Sequence, residues 1–264
     1  MATPRAVLLD IDGVLTTSWK PIDGAAPAVA RIRACGLDVA FVTNTTSLSR
    51  ARIAELLEAS GIPVRPDEVV TAARAAAAYL IQQHPGCSCL FLNAGSVGED
   101  LDGVHVVGEG EWDADIVLTG GAGPSVGYTE LNAAFRLLLR GAPLVAMQRN
   151  FSWRTAEGPQ LDMGAFVTGL EQAANVRATV IGKPSPSFFA AVLAELGVTP
   201  AEAVMVGDDI DADVLGAQAS GLGGVLVRTG KFRPEVLDRA ASPPDHVIDS
   251  IADLPALLGL PEDH

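Results

Sequence analysis

The chain has 264 residues, 48% of them apolar and 5% aromatic, and 32 acidic residues against 18 basic ones give a formal charge of −14. That is enough apolar material for one large domain or two smaller ones. A surface of that sign repels nucleic acid and anionic membranes at long range, so neither is an expected partner. A phosphorylated substrate would need a local site with a metal and a few fixed cations. The short apolar run that ends at Asp10 is too brief for a signal-peptide core or a membrane span. Cys35, Cys87 and Cys89 are odd in number, and Cys87-Ser88-Cys89 lacks the spacing and the partner pair of a zinc site. All three read as reduced thiols of a cytoplasmic protein.

Strand and helix patterns alternate almost throughout, as βα units of a parallel sheet do. Ala6-Val7-Leu8-Leu9 runs as a strand into Asp10-Ile11-Asp12-Gly13. An irregular stretch, 16–24, precedes an amphipathic helix over 25–35 that stops at Gly36. A second strand, 38–42, ends in Thr43-Asn44-Thr45-Thr46. Ser47 or Ser49 can cap the next helix, which runs to about Ser60 and stops at Gly61. Val69-Val70 reads as a short strand, and the Ala-rich run 72–78 as helix.

The middle of the chain reads as a second αβ layer, with strands at 90–92, 104–107, 116–118 and 144–146 and helices at 129–139 and 164–174. The last third resumes the first pattern: strand 179–181, helix 186–196, strand 203–206, helix 212–220, strand 225–227. The expected architecture is one sheet domain, 1–73 and 178–264, interrupted by an inserted domain, 74–177.

Four apolar strands of the discontinuous domain end in polar groups: Asp10 and Asp12, Thr43 and Asn44, Lys183 after Gly182, and Asp208 and Asp209 after Gly207, with Asp213 one helical turn on. Open α/β sheets place their chemistry past the carboxyl ends of their strands. Strand positions i and i+2 share a face, so Asp10 and Asp12 point the same way. Phosphoryl transfer needs an in-line nucleophile, a cation and donors for the nonbridging oxygens, and a proton for the leaving group. Asp10 is placed as nucleophile. Asp12 could give and take the proton, which requires a raised pKa. Mg2+ prefers hard oxygens; Asp10, Asp208 and the Asp12 backbone carbonyl would bind it, with Asp209 and Asp213 orienting its waters. Thr43, the Asn44 N–H and Lys183 would hold the phosphoryl group.

Taken singly, each element has a plainer reading. Asp208 or Asp209 could cap the following helix, Thr43–Thr46 could be a Ser/Thr turn, and Lys183 a surface residue before Pro184. Four strand ends in this order make the joint coincidence improbable. Other features stay with the plain reading. Gly120-Gly121-Ala122-Gly123-Pro124 lacks the Gly-Lys-Ser/Thr of a phosphate loop and reads as a turn. His84, His105, His246 and His264 share no spacing, and Asp113 and Asp115 read as solvated. Residues 147–154 mix cations with aromatics and could equally touch substrate or form a surface loop.

With these residues in place, the chain resembles the haloacid dehalogenase superfamily. Asp10-Ile11-Asp12-Gly13, Thr43-Asn44, Lys183, and Gly207-Asp208-Asp209 with Asp213 are similar to its four motifs, in order. The long insertion before the third motif resembles the C2-type cap of the class IIA, NagD-like, phosphatases. Gly182-Lys183-Pro184-Ser185-Pro186 and Val227-Arg228-Thr229-Gly230-Lys231 fit that class.

The resemblance implies an α/β fold with a Rossmann-like parallel-sheet core and an inserted αβ cap that sets specificity. It further implies an aspartyl-phosphate on Asp10, Mg2+ as cofactor, and a homodimer formed through the caps. Some relatives in the branch it most resembles lack an acid at the position of Asp12. Its presence here favours an ordinary phosphomonoesterase acting on a small soluble phosphorylated metabolite over that branch's unusual phosphoamide substrates. A phosphotransferase or mutase of the same superfamily, and a phospho-aspartate signalling or binding module with little turnover, remain as alternatives.

Overall fold

A computed structural model describes residues 4–155 and 158–261, apart from the side chains of 153–155. The start of the N-terminal segment, His264 and the side chains of Trp153 and Arg154 therefore lie outside the described residues. The chain forms two compact units. One runs to Thr43, resumes over Arg50–Val70 and returns from Lys183 onward; the other comprises Asn44–Ser49 and Thr71–Gly182.

The first unit is built on a six-stranded sheet. Its strands are Ala6–Asp10 (β1), Asp38–Thr43 (β2), Val69–Thr71 (β3), Ala203–Gly207 (β4), Gly223–Val227 (β5) and His246–Ile248 (β6). Their spatial order is β6-β5-β4-β1-β2-β3. β1 lies at the centre, parallel to β2 and β4. Every residue of β1 and β4 is buried, which is why both read as unbroken apolar runs rather than alternating ones.

Helix ends follow the local sequence. Ala25–Ala34 buries Ala25, Ala28, Val29 and Ile32, an i, i+3, i+4, i+7 stripe. Pro186–Leu196 opens with a Ser185 cap and a proline in its first turn, and closes on Gly197 at φ 64°.

The second unit has its own five-stranded parallel sheet. The order is Thr179–Val180, Leu144–Ala146, Ile116–Thr119, Ser88–Leu92, His105–Val106. Its core gathers Leu90, Val117, Ala134, Leu137, Met163 and Val167 from this sheet and from the helices Tyr128–Leu139 and Met163–Ala174. Thr71 caps the Ala72–Gln83 helix by accepting from the Arg74 N–H at 3.1 Å.

Several elements differ from the sequence expectation. The strand expected at 179–181 as the return of the first domain instead joins the second unit's sheet, beside Leu144–Ala146. The stretch 16–24 is not irregular but starts as a hairpin, Thr16–Thr17 against Lys20–Pro21. Its turn places Ser18 and Trp19 at φ 50° and 63°, a conformation whose usual sequence sign, Asn or Gly, is missing. The helix expected over 212–220 begins instead as a wide π turn, Ile210–Leu215, and becomes α-helical over Gly216–Ala219. Such turns recur at functional sites, and this one carries Asp213. Finally, β6 follows Pro243-Pro244 and is only three residues long, too short for a periodic signal.

Candidate active site

Register brings the strand ends together. Asp10 pairs with Val42 on one side, so Thr43 is the next residue of β2. On the other side Leu9 pairs with Val206, which sets Gly207 beside Asp10 and carries Asp208 just past the edge. Asp10, Thr43, Lys183, Asp208 and Asp213 are all buried.

Lys183 is the hub. Its Nζ lies 2.5 Å from Asp10 Oδ1 and 2.7 Å from Asp213 Oδ1. Asp213 Oδ2 accepts from the Asp209 N–H at 3.2 Å. Asp209 in turn caps the π turn, accepting from the Ala212 N–H at 3.1 Å, and faces the Lys231 ammonium at 3.6 Å. Asp208 Oδ2 accepts from the Lys231 N–H at 2.7 Å, while its Oδ1 is buried with no hydrogen-bond partner among the described residues. Asp10, Asp208 and Asp213 each bring a carboxylate oxygen within 4.8 Å of the others.

Space around Asp208 is reserved by glycine. A Cβ on Gly13 or on Gly230 would overlap Asp208 Oδ2, and one on Gly207 would overlap Asp213. Gly13 and Gly230 also hold φ of 97° and 58°, which favours glycine on backbone grounds alone. Thr229 Oγ1 donates to the Gly13 carbonyl and ties the two glycine turns together.

The electrostatics follow from three neighbouring buried acids, of which only Asp10 and Asp213 share the buried Lys183 ammonium. Burial pushes Asp10 up to about 7; Lys183 opposes this, but Asp213 and Asp208 add to it. Asp208 is pushed up to about 6, mainly by burial and further by Asp213, against the pull of the Lys231 N–H. Burial works to lower Lys183, yet Asp10 and Asp213 carry it well above the ordinary lysine range. The cluster is short of positive charge, and a buried carboxylate oxygen without a partner is costly. A hard divalent cation fits both deficits, with Asp208 Oδ1 and Asp10 as available oxygen donors. Both oxygens of Asp213 already have protein partners.

Two sequence-singled residues stand outside this knot. Asp12 is exposed, and its Oδ1 accepts from the Ser18 N–H at 3.1 Å. Asn44 belongs with the second unit. Conversely, Thr229, Gly230 and Lys231 contact the acids or their glycine cradle without having been assigned a role from sequence. The signal available for them was a glycine-lysine turn directly after β5. Met147 and Gln148, from the ambiguous loop, are buried in the second unit; Arg149, Asn150 and Phe151 are exposed. Arg149 pairs with both oxygens of Glu171.

A central strand ending in a buried carboxylate, paired with lysine beside an acidic pocket, is the apparatus of a phosphoryl-transfer site. Family comparisons agree. A haloacid dehalogenase-like hydrolase model matches residues 7–107, and a HAD-hydrolase-like model matches residues 180–254. Haloacid dehalogenase-like hydrolase domain-containing protein 2 of Bos taurus is 38% identical over 261 residues, 95% of this chain and 98% of that protein. Phospholysine phosphohistidine inorganic pyrophosphate phosphatase of Homo sapiens is 36% identical over 264 residues, covering 98% of this chain and 95% of that protein. Among solved structures, the p-nitrophenyl phosphatase from Archaeoglobus fulgidus superposes with TM-score 0.87 at 28% identity, over 96% of this chain and 99% of that one. NagD from E. coli K-12 superposes with TM-score 0.86 at 26% identity, over 95% and 98%. The chain belongs to the haloacid dehalogenase superfamily. Within it, the protein is a class IIA, NagD-like phosphatase, a phosphohydrolase with an α/β core. No described helix is long and apolar enough to cross a membrane.

Proposed function

We propose that the protein is a Mg2+-dependent phosphatase of small phosphorylated metabolites that works through an aspartyl-phosphate on Asp10. The observation that carries this reading is the charge-deficient knot: Asp10 and Asp213 on one ammonium, with the open Asp208 Oδ1 beside them. Asp10, Asp208 and the Asp12 carbonyl would hold the ion, with Asp209 and Asp213 on its waters. Bound there, Mg2+ supplies charge neutralisation for the phosphoryl oxygens and for the crowded acids.

A carboxylate oxygen of Asp10 attacks phosphorus as the ester P–O bond breaks, and Asp12 gives the departing alkoxide its proton. Water then attacks the phosphorus, Asp12 takes back a proton, and inorganic phosphate leaves with Asp10 restored. Exposure suits Asp12 to this exchange with leaving group and water, and the Ser18 N–H fixes one of its oxygens. Thr43, the Asn44 N–H and Lys183 hold the nonbridging oxygens. Lys183 also keeps Asp10 from being isolated among like charges.

The domain assignment belongs to the same proposal. The insertion, expected at 74–177 between core segments 1–73 and 178–264 and compact as Thr71–Gly182 together with Asn44–Ser49, is a C2-type cap that selects the substrate and forms a homodimer. The presence of Asp12 supports simple phosphate monoesters as substrates, and the three free thiols support a cytoplasmic protein.

Released phosphate across a phosphometabolite panel, with and without Mg2+, tests the reaction. Asp10→Asn should lower kcat by about three orders of magnitude or more, the scale on which removing an essential group acts, with the fold retained. Substantial residual turnover in that variant would move the nucleophile elsewhere.

A further inference from the structure

The chain first leaves the first unit between Thr43 and Asn44, rejoins it over Arg50–Val70, and returns for the last time between Gly182 and Lys183. All three of the groups assigned to the phosphoryl moiety, Thr43, Asn44 and Lys183, therefore flank the first or the last of these crossings, and what fixes the backbone of 44–49 and 181–182 lies in the second unit. The return crossing is fastened by strand-like bonds, Ile181 N–H to the Ala146 carbonyl and Gly182 N–H to the Met147 carbonyl, both 2.9 Å. The outward crossing, Asn44–Ser49, lies in no helix or strand. Among the bonds that hold it are the Ser96 N–H on the Ser47 carbonyl at 3.1 Å and those of the Asn93 side chain.

Asn93 follows the strand Ser88–Leu92 and uses its whole amide. Its Nδ2 donates to the Thr46 carbonyl at 3.1 Å and to the Gly95 carbonyl at 3.0 Å. Its Oδ1 accepts from the Gly121 N–H at 2.6 Å. The site is shaped around it. A Cβ on Gly120 would overlap Asn93 Oδ1, and one on Gly121 would come within 2.7 Å of Thr46 Oγ1. The glycine-rich stretch after Ile116–Thr119, read from sequence as a plain turn, is thus the surface on which Asn93 and Thr46 meet.

We propose that Asn93 is a positioning residue for phosphate binding: by clamping Thr46 to the Gly120-Gly121 turn, it sets the direction of the Asn44 N–H two residues upstream. The inference rests on the phosphate-holding role given above to Asn44. A displacement of about 1 Å in such a donor is enough to cost up to a hundredfold in rate.

Steady-state hydrolysis of p-nitrophenyl phosphate with Mg2+, inhibition by inorganic phosphate, and thermal melting on the full chain test it. Asn93→Ala should raise both KM and the phosphate inhibition constant about tenfold, the scale of one lost and one misdirected hydrogen bond. Asn93→Asp keeps the acceptor for Gly121 but cannot donate to Thr46. It should show the same rise, and it decides the matter if the alanine variant does not fold. Asp162→Ala is the control. Asp162 caps the Met163–Ala174 helix and accepts from the Ala122 N–H at 3.1 Å, but it bonds to neither crossing. It should lower the melting temperature and leave phosphate inhibition unchanged. Phosphate inhibition within twofold of wild type in both Asn93 variants overturns the inference alone. A wild-type enzyme that turns over without being inhibited by phosphate removes the site reading and the inference with it.

Discussion

Each unit carries a parallel sheet whose polar residues gather past its strand ends, and the two edges are finished in opposite ways. In the first unit the edge buries three neighbouring carboxylates, sets two of them on one ammonium and leaves Asp208 Oδ1 unanswered among the described residues. In the second, Asn93 spends both donors and its acceptor. There Gln148 spans the Gly120 carbonyl at 3.1 Å and the Asn150 N–H, and Asp162 holds two N–H groups. One edge is short of partners and charged, the other saturated and mostly neutral. Unmet polar demand marks the edge built for chemistry; satisfied polar demand marks the edge built to hold a shape.

Substitutions should expose that difference, the largest effect coming first. Lys183→Met strands Asp10 and Asp213 without their counter-charge, and loss of one partner of a buried pair costs about 3–5 kcal/mol. Chemical denaturation without metal should show a fall of that size, with part of it recovered on adding Mg2+; a fall independent of Mg2+ would contradict the shared-cation picture. Asp208→Asn works the other way. It removes a buried like charge, so the metal-free protein should gain about 1 kcal/mol or more, since each pKa unit is worth 1.36 kcal/mol. Its Mg2+-induced stabilisation should disappear, as a melting series in Mg2+ would reveal.

On the saturated edge the effects should be smaller and indifferent to metal. Asp162→Ala should cost about 1 kcal/mol, the worth of a helix cap, equally with Mg2+ or with chelator. The smallest effect belongs to the opposite, amino end of the first sheet. There Glu202 accepts from the Thr199 N–H at 2.8 Å and its hydroxyl at 2.7 Å, and from Arg5 at 3.0 Å. These contacts hold its carboxyl down to about 2. Because the folded value is depressed, the contribution is present above the ordinary glutamate range and is lost as pH falls from about 4.5 toward 2. Glu202→Gln should therefore be slightly less stable than wild type at pH 7 and converge on it across that window.

How much of this can be read in advance depends on where a residue stands. The approach of Asp10, Thr43 and the Asp208–Asp213 stretch is legible because each ends or follows an apolar strand of one parallel sheet, and parallel strands end on one edge. Lys183 arrives from a strand of the other sheet, and only its place in the motif order marks it. The roles of Thr229, Gly230 and Lys231 are not legible, since a glycine that exists to leave room for Asp208 looks like any turn glycine. Nor is the Thr16–Pro21 hairpin, whose Ser18-Trp19 turn lacks the expected residues. The π turn escapes as well: its residues satisfy a helical pattern, and the Asp209 cap and the close approach of Gly216 to Pro184 leave no periodic mark. Asn93 is invisible from sequence for a different reason. Nothing local distinguishes an amide that serves a loop forty-seven residues away.

The placement of the crossings has a consequence for anyone wishing to exchange parts of this protein. The insertion Thr71–Gly182 is joined directly to Lys183, and the short stretch Asn44–Ser49 that belongs with it is joined directly to Thr43, so a graft of a foreign insertion alone would be spliced beside one reactive residue and would leave the native 44–49 without its partners. The transferable cassette is therefore larger than the insertion: it has to carry its own version of 44–49 along with the asparagine and glycines that grip it.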